Sequence, residues 1–476
     1  MHDIYSSALS ERYASRAMLE LWSARTRYGL WRRLWLALAE AEKKLGVPIP
    51  DEAIAQMRAN LDKIDFDQVA AYERRFRHDV MAHVHAFGDA APAAKPFIHL
   101  GATSAYVTDN ADLILMRRGL QLLRGRLLTV LRSLSAFAAK WKDEPTLGYT
   151  HLQPAQLTTV GKRATLWMQD LVLDLGDLDH RASTLPLRGV KGTTGTQASF
   201  LELFDGDHEK VRELDRLVTS MMDFQASLPV TGQTYTRKID ASILSIVAGI
   251  AASAAKFSSD IRMLQSFGEI EESFEDEQIG SSAMAYKRNP MRSERIAGLA
   301  RFVLSLEPNA NQTHSVQYFE RTLDDSSNRR LVIPESFLAA EAILLLMANV
   351  ASGLEVRRNR IARRVRAELP LMATERLILR AVRKGVDRQA AHEVIRRHSM
   401  AAAATGYEGA EANDLLDRLA SDPALGLSRD EIDDAADPRA FIGRAPEQVD
   451  EFLSQVLGPV LAGTDESAAD VPEIRV

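Results

Sequence analysis

The segment LILMRRGLQLLRGRLLTVLRSLSAF, residues 113–137, decides the fold class. Leucine recurs every seventh residue, and a second apolar series follows three residues after each leucine; the two series are Leu113, Leu120, Leu127 and Leu134, and Met116, Leu123, Val130 and Phe137. A paired seam sustained over more than three heptads is typical of a long helix that packs along partner helices. The segment therefore predicts a bundle of long helices.

Other segments carry the same helical pattern. Apolar side chains recur at helical spacing within residues 31–38 and 160–178. Residues 243–255 are small and apolar on almost every side, which favours a helix buried among others. Pro334 is expected to open or kink the helix that carries residues 337–354. Strand signals are weak, and we expect only short hairpins near the loops, so the sequence predicts an all-α fold.

We divide the chain into three helical domains. They are an N-terminal domain over residues 1–103, a central helix-bundle domain over residues 104–356 that contains the loop 280–295, and a C-terminal domain over residues 357–476. The run of arginines at 357–366 indicates either a solvated helix face, which we favour, or a binding patch. The acidic tail after residue 463 is predicted to be disordered.

Composition excludes several classes of protein. The 476 residues contain no cysteine, so no disulfide framework and no cysteine nucleophile is possible, and a reducing compartment such as the cytoplasm fits. A net charge of −6 argues against a nucleic-acid-binding protein. The most apolar segments, residues 243–255 and 337–350, are too short or too interrupted to span a bilayer, so we expect no membrane partner. The N-terminus also lacks the pattern of a signal peptide.

Several polar clusters are open to more than one interpretation. His78, His83 and His85 form a dense histidine cluster, but on a helix His83 and His85 point to different sides, which favours polar-network histidines over a metal site. His151 precedes a long helix and is either structural or a functional side chain at a loop-to-helix junction. The glycine- and threonine-rich residues 192–197 indicate a plain turn or an anion-binding loop without the lysine of a P-loop.

Two further clusters are rich in groups that bind anions. In residues 320–330, ERTLDDSSNRR, the arginines either pair with Asp324 and Asp325 in a surface network or clamp a phosphate or carboxylate. Residues 280–295, GSSAMAYKRNPMRSER, place two serines beside Lys287 in a glycine-led run. That run is typical of a solvated loop or of a mobile loop that binds an anion and presents a hydroxyl.

Together these pieces resemble the aspartase/fumarase superfamily, and its adenylosuccinate lyase branch of animal type in particular. The matching motifs are, in chain order, RYAS (12–15), RHDVMAHVH (77–85), HLGATS (99–104), THLQPAQLTTVGKR (150–163), VKGTTGTQASF (190–200), TGQTY (231–235), GSSAMAYKRNP (280–290), ERTLDDSSNRR (320–330) and FIGRAPEQV (441–449). The resemblance implies a homotetramer whose central bundles form a shared helical core, with each active site built from loops of three chains.

The implied reaction is a β-elimination that releases fumarate from succinylated nucleotides, which needs one base and one acid on opposite sides of the substrate. By the resemblance, His151 is the general acid and Glu294 is the carboxylate that orients it. Ser281 is the general base, with Lys287 and Asn289 stabilising the carbanion intermediate. No metal and no cofactor is implied.

The resemblance also assigns the residues that bind the substrate. The positions that match the phosphate clamp are Arg12, Tyr13, Arg321, Ser326 and Arg330. The positions that match other substrate contacts are Arg77, His78, Asp79, Thr103, Ser104, Gln233 and Arg295.

One residue departs from the family pattern, because Ala285 stands where the signature loop usually has proline. We expect this alanine to make the open loop more disordered and its closure slightly costlier. Three alternatives to the main hypothesis remain at this point: an argininosuccinate lyase, a metal-dependent hydrolase that uses His78, His83 and His85, and a catalytically silent scaffold.

Overall fold

A computed structural model describes residues 4–275, 278–407 and 413–463 of the chain. The acidic tail after residue 463, predicted to be disordered, lies outside these residues. Within them the structure is predominantly helical, with two small two-stranded sheets, which confirms the all-α prediction.

The elements follow one another as short N-terminal helices, long central helices and a shorter C-terminal set. The first part contains a π-helical turn at Leu9–Tyr13 and helices α1 (Arg16–Leu21), α2 (Ala24–Lys44), α3 (Asp51–Ala59), α4 (Phe66–Phe76) and α5 (Asp79–Ala90). The central part contains α6 (Ser104–Lys140), β1 (Pro145–Thr150), β2 (Gln153–Thr159), α7 (Val160–Thr184), α8 (Ala198–Leu203), α9 (His208–Met221), α10 (Lys238–Ser266), β3 (Ile270–Glu271), α11 (Met291–Ser315), α12 (Asp324–Ser352) and β4 (Glu355–Val356). The last part contains α13 (Arg358–Met372), α14 (Thr374–Arg383), α15 (Arg388–Tyr407), α16 (Leu415–Ala420), α17 (Arg429–Ala435), α18 (Ala445–Glu451) and α19 (Gly458–Leu461).

The heptad seam of α6 forms the centre of the bundle. Helix α6 packs against α2, α7 and α12, and α10 packs against α7, α11 and α12. All eight seam residues predicted from the sequence are buried, and Leu113, Leu120 and Leu127 are completely so. A second, separate core includes Leu377, Leu415 and Ile432 and holds α14 to α17 together.

Two helices differ from the sequence-based expectation. Helix α12 begins at Asp324, so Pro334 lies inside it; the expectation that this proline opens the helix is wrong, and the alternative that it kinks the helix stays a prediction. The apolar segments expected to be too short to span a bilayer lie within α10 and α12, which are long and apolar enough to do so by length and composition. Most of the apolar stretch of α12, and about half of that of α10, is buried inside the protein, as in the core helix of a globular protein.

The two small sheets position the loops of interest. Strands β1 and β2 form an antiparallel hairpin in which Thr150 pairs with Gln153, so residues 151 and 152 form its tip. Strand β3 pairs with β4, which ties the segment leading to the 280–295 loop to the start of the C-terminal helices.

Candidate active site

A cavity of about 660 Å³ opens where α5, α6 and α12 begin and the segment 231–236 passes between them. It is lined by eight of the residues predicted to bind substrate, which are Arg77, His78, Asp79, Ser104, Gln233, Arg321, Ser326 and Arg330. These residues come from four segments that are far apart in the sequence, so the fold brings them together.

His78 is held at one wall of the cavity by its place at the start of α5. Its Nδ1 accepts a hydrogen bond of 3.4 Å from the Met81 N–H and thereby caps the helix. Because Nδ1 accepts, the neutral ring carries its proton on Nε2, which lies 3.4 Å from the Ser104 hydroxyl. The preceding residue, Arg77, ends α4 in the left-handed conformation with φ of 56°.

Asp79 and Arg330 form an ion pair of 2.5 Å across the cavity. Burial alone would raise the pKa of the Asp79 carboxyl, but the hydrogen bond and charge of Arg330 outweigh it and hold that pKa below its usual value. The carboxylate therefore stays ionised at neutral pH, and it holds the guanidinium at the cavity wall.

The floor of the cavity is a buried ionic network that sequence analysis did not identify. Arg237 donates to both oxygens of Asp109 at 3.1 Å and to Asp325 at 2.7 Å. Arg329 donates to Asp240 at 2.7 Å and to the Tyr235 hydroxyl at 2.6 Å. Breaking one partner of such a buried pair typically costs about 3–5 kcal/mol, so the network makes this floor rigid.

Of the two aspartates in the ERTLDDSSNRR segment, Asp324 is exposed, whereas Asp325 does not lie in the surface network considered above. Asp325 does pair with Arg321, at 3.5 Å, but it is buried and also bound by Arg237. Asp325 looks solvated in sequence, and only the packing of α12 against α6 and α10 reveals its burial.

Three further predicted residues do not line the cavity. Arg12 and Tyr13 belong to the π-helical turn Leu9–Tyr13, which packs against α12. Thr103 is the N-cap of α6, directly before Ser104.

His151 lies at the tip of the β1–β2 hairpin and not at the junction with the helix, which begins nine residues later at Val160. His151 and Leu152 both have positive φ angles, 54° and 59°. A two-residue hairpin turn with positive φ at both positions normally uses Asn-Gly, so two side-chain-bearing residues here store backbone strain. The imidazole is exposed and does not line the cavity.

The loop with the two serines is a largely exposed segment that does not line the cavity either. The Ser281 Oγ accepts hydrogen bonds from the backbone N–H groups of Met284, at 3.1 Å, and Ala283, at 3.4 Å. Asn289 donates to the Gly280 carbonyl at 2.7 Å and closes the base of the loop. Lys287 is exposed.

Glu294 and Arg295 lie in the first turns of α11, which follows the loop directly. Both oxygens of Glu272 cap this helix: they accept from the N–H groups of Arg292 and Ser293 at 3.0 Å each. Arg292 also binds the Ser273 carbonyl at 3.0 Å. The far end of the loop is thereby fixed to the segment that precedes it.

The histidine cluster of residues 78–85 is divided between different environments. His83 is buried against Tyr28, with ring centroids 3.9 Å apart, and burial followed by the charge of Arg32 lowers its pKa to about 4. His85 stacks on Phe76 at 4.7 Å. Among the residues that the structure describes, no three His, Asp or Glu side chains are grouped to hold a metal ion.

Comparison with known proteins gives consistent matches over the whole chain. The family model described as "Lyase" matches residues 3–304, and that described as "Adenylosuccinate lyase C-terminus" matches residues 370–452. The adenylosuccinate lyase of Schizosaccharomyces pombe is 51% identical over 475 residues, 98% of each chain. That of Schistosoma mansoni is 46% identical over 459 residues, 96% of each chain.

Solved structures share the fold at lower sequence identity. A fumarate lyase from Mesorhizobium superposes with a TM-score of 0.80 at 23% identity, covering 95% of this chain and all of that one. The β-carboxy-cis,cis-muconate cycloisomerase of Acinetobacter calcoaceticus gives 0.80 at 21% identity, covering 94% of this chain and 100% of that one. Each likeness concerns the fold alone.

Proposed function

The chain belongs to the adenylosuccinate lyase family, and on that premise we propose that it releases fumarate from adenylosuccinate, leaving AMP. We propose the same reaction for the succinyl-carboxamide ribotide SAICAR, which would leave AICAR. The observation that carries the proposal is the cavity, because it collects predicted substrate-binding residues from four separate segments over a rigid ionic floor. No metal or cofactor takes part in the proposed chemistry.

The two ends of the substrate would meet different groups. Arg321, Ser326 and Arg330 lie together at the start of α12 and suit a phosphate, because guanidinium groups bind phosphate oxygens in pairs. Arg12 and Tyr13 would join them from the turn packed on α12. The hydroxyls of Thr103 and Ser104 and the amide of Gln233 would hold the succinyl carboxylates, and Arg77, His78 and Asp79 would contact the region of the leaving nitrogen.

Ser281 would act as the base that removes the proton next to the carboxylate. A serine hydroxyl is a weak base unless its alkoxide is stabilised. The two backbone N–H groups that already donate to its Oγ supply such stabilisation, in the manner of an oxyanion hole. Lys287 and Asn289 would stabilise the carbanion, whose charge spreads onto the neighbouring carboxylate.

His151 would protonate the leaving nitrogen, with Glu294 orienting its ring and Arg295 contacting the substrate. The strain at His151 and Leu152 is consistent with a functional tip, since strained backbone clusters at active sites. Neither His151 nor Ser281 lines the cavity of its own chain, which fits a site completed by other chains.

We propose that the chain assembles as a homotetramer in the cytoplasm. Large apolar side chains are exposed on the long helices, where partner helices would cover them; they include Leu166 and Leu173 on α7, Met263 on α10 and Leu331 on α12. Three chains would then contribute to each active site. The boundaries at residues 103 and 356 would separate an N-terminal domain, the central bundle and a C-terminal domain, with the first two lining the cavity.

Fumarate release, followed by NMR, tests the proposal directly. The purified protein is given adenylosuccinate, SAICAR and argininosuccinate separately, with and without a chelator. We expect fumarate from the first two substrates at rates that the chelator does not change. Fumarate from argininosuccinate alone, or from none of the three with a folded tetramer, would overturn it.

A further inference from the structure

A polar cluster outside the cavity, centred on one buried carboxylate, joins three distant segments. Glu269 directly precedes β3, Tyr149 lies on β1 and Arg364 lies on α13. The Glu269 Oε1 forms an ion pair with Arg364 Nε at 3.1 Å and accepts a hydrogen bond from the Tyr149 hydroxyl at 3.3 Å, and Arg364 Nη2 donates a hydrogen bond to that hydroxyl at 3.0 Å. The three groups therefore form a closed triangle around one carboxyl oxygen.

The surroundings make this triangle hard to replace. Glu269 is completely buried, and the guanidinium of Arg364 also lies over the Phe267 ring at 4.4 Å. Burial, followed by the charge of Glu269, raises the pKa of Tyr149 to about 12, so its hydroxyl remains a hydrogen-bond donor at neutral pH. Removing Tyr149 or Arg364 takes one partner from the fully buried Glu269 carboxylate, which is costly.

The triangle lies at the base of both loops assigned to catalysis. Tyr149 stands two residues before His151 and pairs with Pro154 across the hairpin. Glu269 lies three residues before Glu272, whose carboxylate caps α11 at the end of the Ser281 loop. The Glu269 carbonyl also accepts a hydrogen bond from the Arg357 N–H at 2.9 Å. The arginine-rich start of the C-terminal helices is therefore bound to the backbone of Glu269 as well.

We propose that Glu269, Tyr149 and Arg364 are positioning residues that fix the His151 hairpin and the stem of the Ser281 loop relative to each other. Their role in turnover rests on the proposed function. The mechanical link between the hairpin and the loop stem does not depend on the proposed function, because it follows from the contacts alone. Within the basic run at 357–366, the proposal assigns Arg364 a structural role. This role differs from both interpretations of the run made from sequence, a solvated helix face and a binding patch.

Hydrogen–deuterium exchange of the intact protein tests the link without any substrate. We expect Tyr149→Phe, which keeps the ring and removes the hydroxyl, to speed exchange about tenfold in the hairpin 145–159 and in the stem 269–275 together. Arg364→Ala, which removes another member of the triangle, should speed exchange in the same two segments. Arg364→Lys should keep part of the protection that Arg364→Ala loses.

Two matched controls separate this effect from general loosening. Tyr72→Phe also removes a hydroxyl bonded to a carboxylate, that of Asp89 at 2.5 Å, but in the N-terminal helices. Arg363→Ala removes an exposed arginine from the same helix as Arg364. Neither should change exchange in the hairpin or in the stem. If Tyr149→Phe loosens the hairpin alone, or neither segment, the link is refuted.

Steady-state kinetics of the same variants test the catalytic consequence. We expect Tyr149→Phe and Arg364→Ala to lower kcat for fumarate release about ten- to a hundredfold while KM changes about twofold or less, because misplaced acid and base groups act mainly in the transition state. Full kcat in variants whose two segments are loosened would overturn the positioning role. An inactive wild type would refute the proposed function instead, and the exchange data would still decide the link.

Discussion

At the scale of single residues, backbone strain and burial distinguish the side chains with a proposed role in catalysis or stability. His151 and Leu152 adopt left-handed backbone angles without being glycine, a conformation that costs about 1–2 kcal/mol per residue. Nothing in the hairpin requires a side chain at these two positions for packing, since both are exposed. The strained tip of the hairpin therefore presents one chemically functional side chain, the imidazole of His151.

The environment of His99 predicts that the free energy of unfolding depends on pH. Its Nδ1 accepts a hydrogen bond of 2.9 Å from the Trp35 indole, and burial, followed by the charge of His78, lowers its pKa to about 4. The unfolded chain binds the proton first, with a pKa near 6.5, so this stability is complete above about pH 6.5 and is lost as the pH falls toward 4. We expect a loss on the order of 2 kcal/mol over that window.

Thermal unfolding between pH 7.5 and pH 4.5 measures this loss. His99→Asn, which keeps an acceptor and tolerates the positive φ of 71°, should make the pH profile less steep, with His83 supplying part of the slope that remains. His180→Asn, at an exposed position on α7, should leave the profile as it is. A profile of equal slope in wild type and His99→Asn would show that other groups cause the dependence.

Ala285→Pro tests the one departure from the family's loop pattern. The Lys287 N–H donates to the Met284 carbonyl at 3.0 Å, so residues 284–287 form a turn with Ala285 at its second position, where proline is favoured. We expect the proline to favour the ordered loop by about 0.4–1 kcal/mol and to lower KM by a factor of about 2–5. Unchanged KM and unchanged protease sensitivity of the loop would contradict this expectation.

At the scale of elements, the long helices and eight residues of the cavity wall were predicted, whereas the ionic floor and the hairpin turn were not. The α6 seam is readable because leucine at every seventh residue has one physical meaning, a buried stripe. The hairpin tip gave no such signal, since its turn lacks the glycine or asparagine that normally marks one. Asp109, Arg237 and Arg329 look solvated in sequence, and only the packing of α6, α10 and α12 makes them a buried floor.

Leu127→Ala measures how much the α6 seam contributes to stability. Leu127 is completely buried at the centre of the bundle, so truncation leaves a cavity and should cost about 2–5 kcal/mol of unfolding free energy. Gln121→Ala, on the exposed side of the same helix, should change it by about 0.5 kcal/mol or less. Denaturant unfolding of the two variants measures both changes. Similar losses of unfolding free energy would mean that the α6 seam does not dominate the stability of the bundle.

At the scale of the whole molecule, the separation of the candidate groups argues for assembly. The cavity holds the residues suited to bind substrate, whereas the hairpin with His151 and the loop with Ser281 do not line it. The exposed apolar side chains of α7, α10 and α12 supply the surface by which other chains would bring those groups in.

Mixing two inactive variants tests whether sites are shared. His151→Ala and Ser281→Ala should each be nearly inactive alone. If one chain supplies the acid and another the base, subunit exchange in an equal mixture leaves about one site in four with both residues intact, so about a quarter of the wild-type rate should return. The double variant mixed with either single variant should restore nothing, because one residue is then missing from every chain. Demonstrated exchange of subunits without any recovery would mean that each site takes both residues from the same chain.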